Sequence, residues 1–285
     1  MSTSQPQPYQ LTDNAYPFVP STAEHNRLEQ QCAALNELML DKPIRAPLKN
    51  SQKILDIGCG TGFQTDLLAK MYPNATIIGL DMSPVPDLRP KRDNVIYILG
   101  EFNELIEKGH ELLQPGTFDL VYQRMLLMGV TSWPQHLESV KSLLKPDGYF
   151  ESQEMDFWKM YDRDNNLVSQ EWHFLDVATR GPAEQGLNLK IAEVLPEHLS
   201  QAGFEGVQQE KFPMAFQKGW KERPETEKLA VYLNWACRPW WRRFFEKGAR
   251  EGEDAEVLYR EFERKVVDGE VGVHGLFVAT VGRKA

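Results

Sequence analysis

Ile54-Leu55-Asp56-Ile57-Gly58-Cys59-Gly60-Thr61-Gly62 is the stretch on which the reading of this chain turns. Residues 53–57 make a short apolar strand. Three glycines on alternate positions make a tight turn, and residues 63–71 carry the apolar spacing of a helix. Strand, glycine turn and helix is a nucleotide-binding arrangement, because glycine permits positive φ and lets a ligand come close to the backbone. A dinucleotide site asks for Gly-x-Gly-x-x-Gly. Here the third glycine would fall at Phe63 or Thr65, so that spacing is not met. The pattern is instead Gly58-x-Gly60-x-Gly62 behind an acid, Asp56. Taken alone, it also fits a tight turn with no ligand.

Outward from this stretch the alternation continues. Strands are expected at 76–80, 95–99, 118–123 and 149–154, with helices at 103–113 and 134–144. Alternation of this kind predicts a parallel sheet covered on both faces, an α/β, doubly wound architecture. Upstream, Ser21-Thr22-Ala23-Glu24 is a capping box in which Ser21 caps and Glu24 reaches back. Leu28, Cys32, Leu35 and Leu38 then recur at helical spacing, predicting a helix over 22–40 that stops before Pro43. Downstream, a helix is expected at 188–201 and strands at 207–212 and 275–281. Segment 222–269 reads as two or three helices, and becomes a helical insertion if the last two strands pair. Trp235, Trp240 and Trp241 lie inside it. Such aromatic density suits a cap over a pocket, and equally a helical subdomain with its own small core. The expected organisation is a mobile leader over 1–15, rich in Ser, Gln, Pro and Thr, a helical lid over 16–50, and an α/β domain over 51–285 that carries the insertion.

Composition limits the function classes. The chain has 285 residues and a net charge of −9, which argues against a general phosphate-binding surface and so against a nucleic-acid partner. Three cysteines exclude a disulfide scaffold and suit a reducing compartment. No apolar run approaches the ~20 residues that span a membrane. The stretch MSTSQPQPYQ has no charged region followed by an apolar one, so no secretory signal is expected. A cytoplasmic place follows, with a nuclear one left open by the basic cluster Arg89-Pro90-Lys91-Arg92, which also reads as a solvated loop. Metal-ligand spacing of Cys and His is absent, and no metal is expected. Oligomeric state is not legible.

Two further acids end strands. Asp81 stands where such folds hold ribose hydroxyls, and a carboxylate accepting both makes charge-assisted bonds worth ~1.5–3 kcal/mol each. It also fits a turn cap before Ser83-Pro84. Glu101 could accept from an adenine amino group with Phe102 or Met82 against the ring, or stand as a solvated loop acid. Three strand ends carrying suitable residues in order are a stronger signal than any one of them.

The segments ILDIGCGTG, IIGLDMSP, FDLVYQRMLL and LLKPDGYFESQE resemble the class I S-adenosylmethionine-dependent methyltransferases. YPFVPSTAEHNRLEQQ, YQRMLLMG with the following Trp-Pro, and the Gln-Glu pair bring the chain closer to the fungal LaeA-like group. The resemblance implies a Rossmann-like, mostly parallel seven-stranded sheet and S-adenosyl-L-methionine as cofactor. It implies that Asp56 supports the turn or meets the amino group of the methionine moiety, and that Gly58, Cys59, Gly60 and Gly62 line that moiety. Asp81 would bind the ribose, Met82 would flank the adenine, and Glu101 and Phe102 would recognise its edge. Gln123 and Arg124 would sit by the methionine end. Arg124 could pair with the carboxylate there, or bond structurally to the 16–31 segment.

Methyl transfer from a sulfonium needs positioning and exclusion of water, and a base only when the acceptor must lose a proton. Candidate bases are His25, His136 and His173, each a lone histidine, and Glu154 after the fifth strand. Tyr16, Trp133 and Trp158 are expected at the acceptor pocket, with core packing the alternative for both tryptophans. The expected activity is methyl transfer to a small-molecule acceptor, with a part in fungal secondary metabolism. The alternatives are a LaeA-like regulator acting in a protein complex, and a cofactor-binding fold member with a non-methylating reaction.

Overall fold

The computed structural model describes residues 20–236 and 238–285. β1 (Lys53–Ile57), β2 (Thr76–Asp81), β3 (Val95–Leu99) and β4 (Phe118–Arg124) pair in parallel, and β5 (Leu144–Tyr161) joins β4 in the same sense. β6 (Phe204–Ala215) and β7 (His274–Lys284) close the sheet antiparallel, in the order β3-β2-β1-β4-β5-β7-β6. Alternate residues of each strand face opposite layers. Ile54 and Ile77 join a core with Leu68 and Ala69 of α2 (Phe63–Met71), whereas Leu55, Ile57, Ile78 and Leu80 join a larger core on the other face. Parallel pairing needs crossovers, and α2, α3 (Phe102–Glu107) and α4 (Trp133–Leu143) lie in these connections.

β1, α2 and β3 lie at the expected bounds. The other elements depart from expectation for local reasons. α1 (Thr22–Leu38) ends two residues early, where Leu40 and Asp41 take φ of 54° and 55°. Ser21 accepts from the Glu24 N–H at 3.1 Å, but the Glu24 carboxylate does not complete the box and instead takes buried Arg27 at 2.6 and 2.7 Å. α3 covers only the first half of 103–113 and begins one residue earlier. α6 (Ile191–Gln201) starts three residues later than expected.

Two departures shape the site. β5 does not stop at Glu154 but runs on to Tyr161, carrying Phe157 and Trp158 beyond β4, whose last pairing is Arg124 with Gln153. A helix that the sequence reading omitted, α5 (His173–Glu184), follows it.

The two antiparallel strands do pair, so the chain between them is an insertion. It folds as α7 (Glu227–Ala236), α8 (Arg238–Gly248) and α9 (Ala255–Phe262), with a 3-10 turn before α7 and a π-helical turn after α9. Trp241 stacks on Phe262 with ring centroids 4.3 Å apart, and both are fully buried with Phe174 and Phe245. The insertion is continuous with the larger core rather than separate from it. α8 crosses α5 closely: a methyl group on Gly248 would come within 1.9 Å of the Val177 carbonyl oxygen. Only glycine permits that approach.

Candidate active site

The carboxyl ends of β1 to β4 open on one edge of the sheet, where open α/β folds bind ligands. A cavity of about 260 Å³ lies there. Its floor is Asp56 to Thr61, its sides include Asp81, Met82, Glu101, Phe102 and Arg124, and its roof comes from α1, through Arg27, Leu28, Gln31 and Cys32. The far wall is Phe157, Trp158, Leu187 and Leu189, with Trp240, Arg243, Phe244 and Lys247 of α8. The expected strand-end residues and the insertion thus meet in one space.

The glycine turn is set by its backbone. Gly58, Gly60 and Gly62 have φ of 67°, 56° and 74°. A methyl group on Gly58 would lie 2.4 Å from Leu126 Cδ2, whereas at Gly60 the nearest atom is Leu28 Cδ1 at 3.5 Å. Asp81 ties this turn to β2. One carboxylate oxygen accepts the Gly60 N–H and the other the Ser83 N–H, both at 2.8 Å. Each oxygen keeps a second lone pair, so the ribose and turn-cap readings are compatible. Asp56 is buried and accepts from the Thr65 hydroxyl at 2.6 Å. Burial pushes its carboxyl up to about 7, against the pull of Thr65 and Arg124. Such a carboxyl ionises readily once a cation comes beside it. Burial also pushes the Cys59 thiol well up. Glu101 caps α3, accepting the Glu104 N–H at 2.7 Å, while lining the cavity.

These residues fit S-adenosylmethionine on the structure's own terms: an open glycine cradle, a buried acid poised for a cation, and a second acid with lone pairs to spare.

Arg124 is otherwise engaged. Its Nε donates to Gln153 Oε1 at 2.7 Å and its two terminal nitrogens to Asn36 Oδ1 at 3.0 and 3.1 Å. A longer bond of 3.4 Å reaches the Pro43 carbonyl. The guanidinium therefore fastens the N-terminal segment to the sheet, through residues just beyond the 16–31 stretch, rather than standing ready for a carboxylate. Gln123 is fully buried and lies below the cavity lining. Its Oε1 meets His136 Nε2 at 2.6 Å and its amide donates to Ser152 Oγ at 3.0 Å.

Ser152 Oγ lies 3.3 Å from Glu154 Oε1, which completes a buried chain from His136 to Glu154. Glu154 is not a solvated strand-end acid. It is buried inside β5 and accepts the Leu126 and Leu127 N–H groups at 3.0 and 3.2 Å. It thereby holds the loop whose Leu126 covers Gly58. Burial pushes its carboxyl up to about 8, against those donors. Burial pushes His136 down to about 4, so the ring is neutral at ordinary pH. His136 lines the cavity, with its Nε2 held by Gln123 Oε1.

The remaining candidates separate. Trp158 lines the cavity and its indole N–H donates to the Leu189 carbonyl. Trp133 is buried edge-on to His136 outside the lining. His173 is exposed at the start of α5 and pairs with Glu253 at 2.7 Å, away from the cavity. His25 is likewise not among the lining residues. Tyr16 lies outside the described residues, as does the leader. The basic cluster is partly absorbed: Arg89 pairs with Glu29 of α1 and Arg92 with Asp66. Glu29 also takes the Thr61 hydroxyl, so α1 is tied to the glycine turn from above. α1 also meets the insertion, where Arg27 donates to the Tyr232 hydroxyl at 2.6 Å.

Sequence reasoning expected a lid over 16–50 and a Trp-bearing cap, but did not say which residues of α1, of the loop 125–132 or of α8 would line the cavity. For α8 a signal existed, since Trp240, Arg243, Phe244 and Lys247 fall at i, i+3, i+4 and i+7.

Comparison with known proteins agrees with this geometry. A family model described as a methyltransferase domain matches residues 24–209. The secondary metabolism regulator laeA of Aspergillus fumigatus is 26% identical over 198 residues, covering 69% of this chain and 51% of that protein. The protein-methionine methyltransferase laeA of Emericella nidulans is 27% identical over 141 residues, 50% of this chain and 36% of that one. The chain thus spans about half the length of the first of these relatives and about a third of the second. Among solved structures, the Haemonchus contortus phosphoethanolamine N-methyltransferase 2 in complex with S-adenosyl-L-methionine superposes with a TM-score of 0.51 at 17% identity, over 90% of this chain and 52% of that one. That likeness is one of fold.

Proposed function

We propose, from the premise that this chain belongs to the class I S-adenosylmethionine-dependent methyltransferases, that it transfers a methyl group to a small-molecule acceptor held beneath the helical insertion. The observation that carries this reading is that the glycine turn, the acids ending β1, β2 and β3, and the aromatic wall of the insertion line one cavity. When bound, the cofactor supplies an electrophilic methyl group on a sulfonium. Asp56 faces the ammonium of its methionine moiety, Asp81 receives the ribose hydroxyls through its two remaining lone pairs, and Glu101 with Phe102 meets the adenine edge. Met82 flanks the ring, and Trp158 forms part of the acceptor wall.

His136 stands on the cavity wall as a neutral imidazole whose Nε2–H donates to Gln123, which leaves Nδ1 to accept a hydrogen bond from the acceptor group; burial holds the ring down at about 4, too weak a base to keep that group's proton at ordinary pH. Glu154 acts through the loop it holds. α1 serves as a lid over residues 22–38, excluding water through its hold on the glycine turn.

Incubation with tritium-labelled S-adenosylmethionine and a panel of phenols, acids and amines tests the reading, with low-mass products separated from protein. Label in a low-mass product is expected. Label found only on protein methionine would replace it with the activity named for the Emericella nidulans relative. That second reading has an observation of its own, since Met82, Met125 and Met128 line the cavity.

A further inference from the structure

A buried polar atom with no hydrogen-bond partner costs stability, so each one asks for a reason. Among the described residues, the side-chain amide oxygens in this condition are Gln64 Oε1 and Asn103 Oδ1, and both residues line the cavity. Gln64 is only 4% exposed. An amide oxygen can accept a hydrogen bond but not donate one, so each of these atoms calls for an N–H or O–H.

The orientation of both amides is set by their neighbours. The Gln64 amide nitrogen faces the Pro43 carbonyl, and the Asn103 amide nitrogen faces Glu101 Oε1, each at 3.4 Å. Turning either amide over would set oxygen against oxygen, so the carbonyl is the end left without a donor. The two acceptors are themselves fixed. Pro43 also takes the Gln153 amide at 3.0 Å, and Glu101 caps α3. Bonds of this length are weak, and the last torsion of an amide side chain is soft. A small swing therefore carries each carbonyl to a donor in the cavity at little cost.

Their places in the fold match one ligand. Gln64 is in the first turn of α2 beside Thr65, whose hydroxyl Asp56 accepts at 2.6 Å, so it stands with Asp56 past the end of β1. Asn103 is in the first turn of α3, past the end of β3. Asp81 ends β2, which lies between those strands in the order β3-β2-β1. Neighbouring strands are ~4.8 Å apart, so the row from Gln64 to Asn103 is on the order of 10 Å long. It suits a molecule with an N–H group at each end and hydroxyls between. S-adenosylmethionine carries its ammonium, ribose hydroxyls and adenine amino group in that order.

Resting on the reading of this space as the cofactor cleft, we infer that Gln64 and Asn103 are further cofactor-binding residues, Gln64 Oε1 accepting from the ammonium beside Asp56 and Asn103 Oδ1 from the adenine amino group. Glu101 then serves the adenine end by holding the Asn103 amide. The stability that each orphaned oxygen costs the fold is recovered when its donor arrives.

Calorimetry with S-adenosylhomocysteine on the wild-type protein comes first. No binding would end the cofactor reading and this inference with it. Two analogues then separate the ends, one lacking the α-amino group and one lacking the adenine amino group. Gln64→Leu, and Gln64→Met with its unbranched chain, are each expected to weaken S-adenosylhomocysteine about tenfold, and the analogue without the α-amino group less than about threefold. Asn103→Leu is expected to give the same loss with S-adenosylhomocysteine, and to spare instead the analogue without the adenine amino group. The ligand-free melting temperature of the Gln64 variants should not fall, because the amide they remove makes one long bond. Equal losses with S-adenosylhomocysteine and both analogues would mark a packing role and overturn the assignment of that residue. Unchanged affinity in its variant would overturn it as well. Either result leaves the cofactor reading intact.

Discussion

The cavity has two halves built on different principles. On the cofactor side, single atoms decide. Three glycines hold positive φ, Asp81 pins Gly60, and short parallel strands present their ends in register. On the acceptor side, area decides. Trp241, Phe245, Phe262 and Phe174 pack an aromatic cluster that supports α8, and α8 presents its own aromatic and cationic face. The first design fixes a ligand of one shape. The second holds a wall in place while leaving its lining open to change, because cores tolerate exchange of apolar side chains when volume is kept.

The largest effect expected from this contrast is at Gly58. Gly58→Val drives a branched side chain against Leu126 and opposes a φ of 67°. Calorimetry should find no measurable S-adenosylhomocysteine binding while circular dichroism keeps the folded signal. Normal binding would reduce the turn to a structural feature.

Trp241→Ala belongs to the other half and should act on stability. Removing a fully buried indole stacked on Phe262 costs about 3–5 kcal/mol. Thermal melting should fall accordingly, and the folded fraction should still bind S-adenosylhomocysteine. If binding disappears with the cap, the halves are not separable.

Asp81→Ala comes next. Loss of both ribose contacts weakens cofactor binding by ~2–4 kcal/mol, and an unchanged dissociation constant would end the ribose assignment.

The smallest effect is a pH dependence that crosses between the halves, through the loop held by Glu154. Its folded carboxyl sits at about 8, above the ordinary value of 4.5, because it is buried. Between those values the native state holds a proton that the unfolded chain has lost. Stability therefore falls as pH rises through this window and levels off above it. Glu154→Gln lacks this titration. Its melting temperature relative to wild type should climb from pH 5 to pH 8 and then flatten. A constant difference would mean that Glu154 is ionised throughout.

The same contrast explains what was legible in the sequence. β1, α2 and β3 could be read to the residue, since alternation and a glycine turn are local signals. The strand-end residues Asp56, Asp81, Glu101 and Phe102 were likewise visible, and they line one cavity. α5 was hidden by Gly181-Pro182, which reads as a break but falls in its last turn. The length of β5 was hidden by Pro146-Asp147-Gly148 at one end and by Glu154 and Asp156 at the other. Acids are seldom buried, and only the Leu126 and Leu127 donors make Glu154 tolerable there. The partners of Arg124 lie far away in sequence, at Asn36 and Pro43, and no local spacing announces them. The face of α8 was periodic, but its direction depends on the crossing at Gly248.

Hydrogen exchange with and without saturating S-adenosylhomocysteine tests the central claim, that this cleft binds the cofactor beneath α1. Protection should rise in the amides of 56–63, in Ser83, in the loop 125–132 and along Thr22–Leu38, while α6 stays unchanged. Protection of the cleft without Thr22–Leu38 would return α1 to ordinary packing. Amides of Gly58 to Gly62 that exchange at the same rate with and without the ligand would contradict the account.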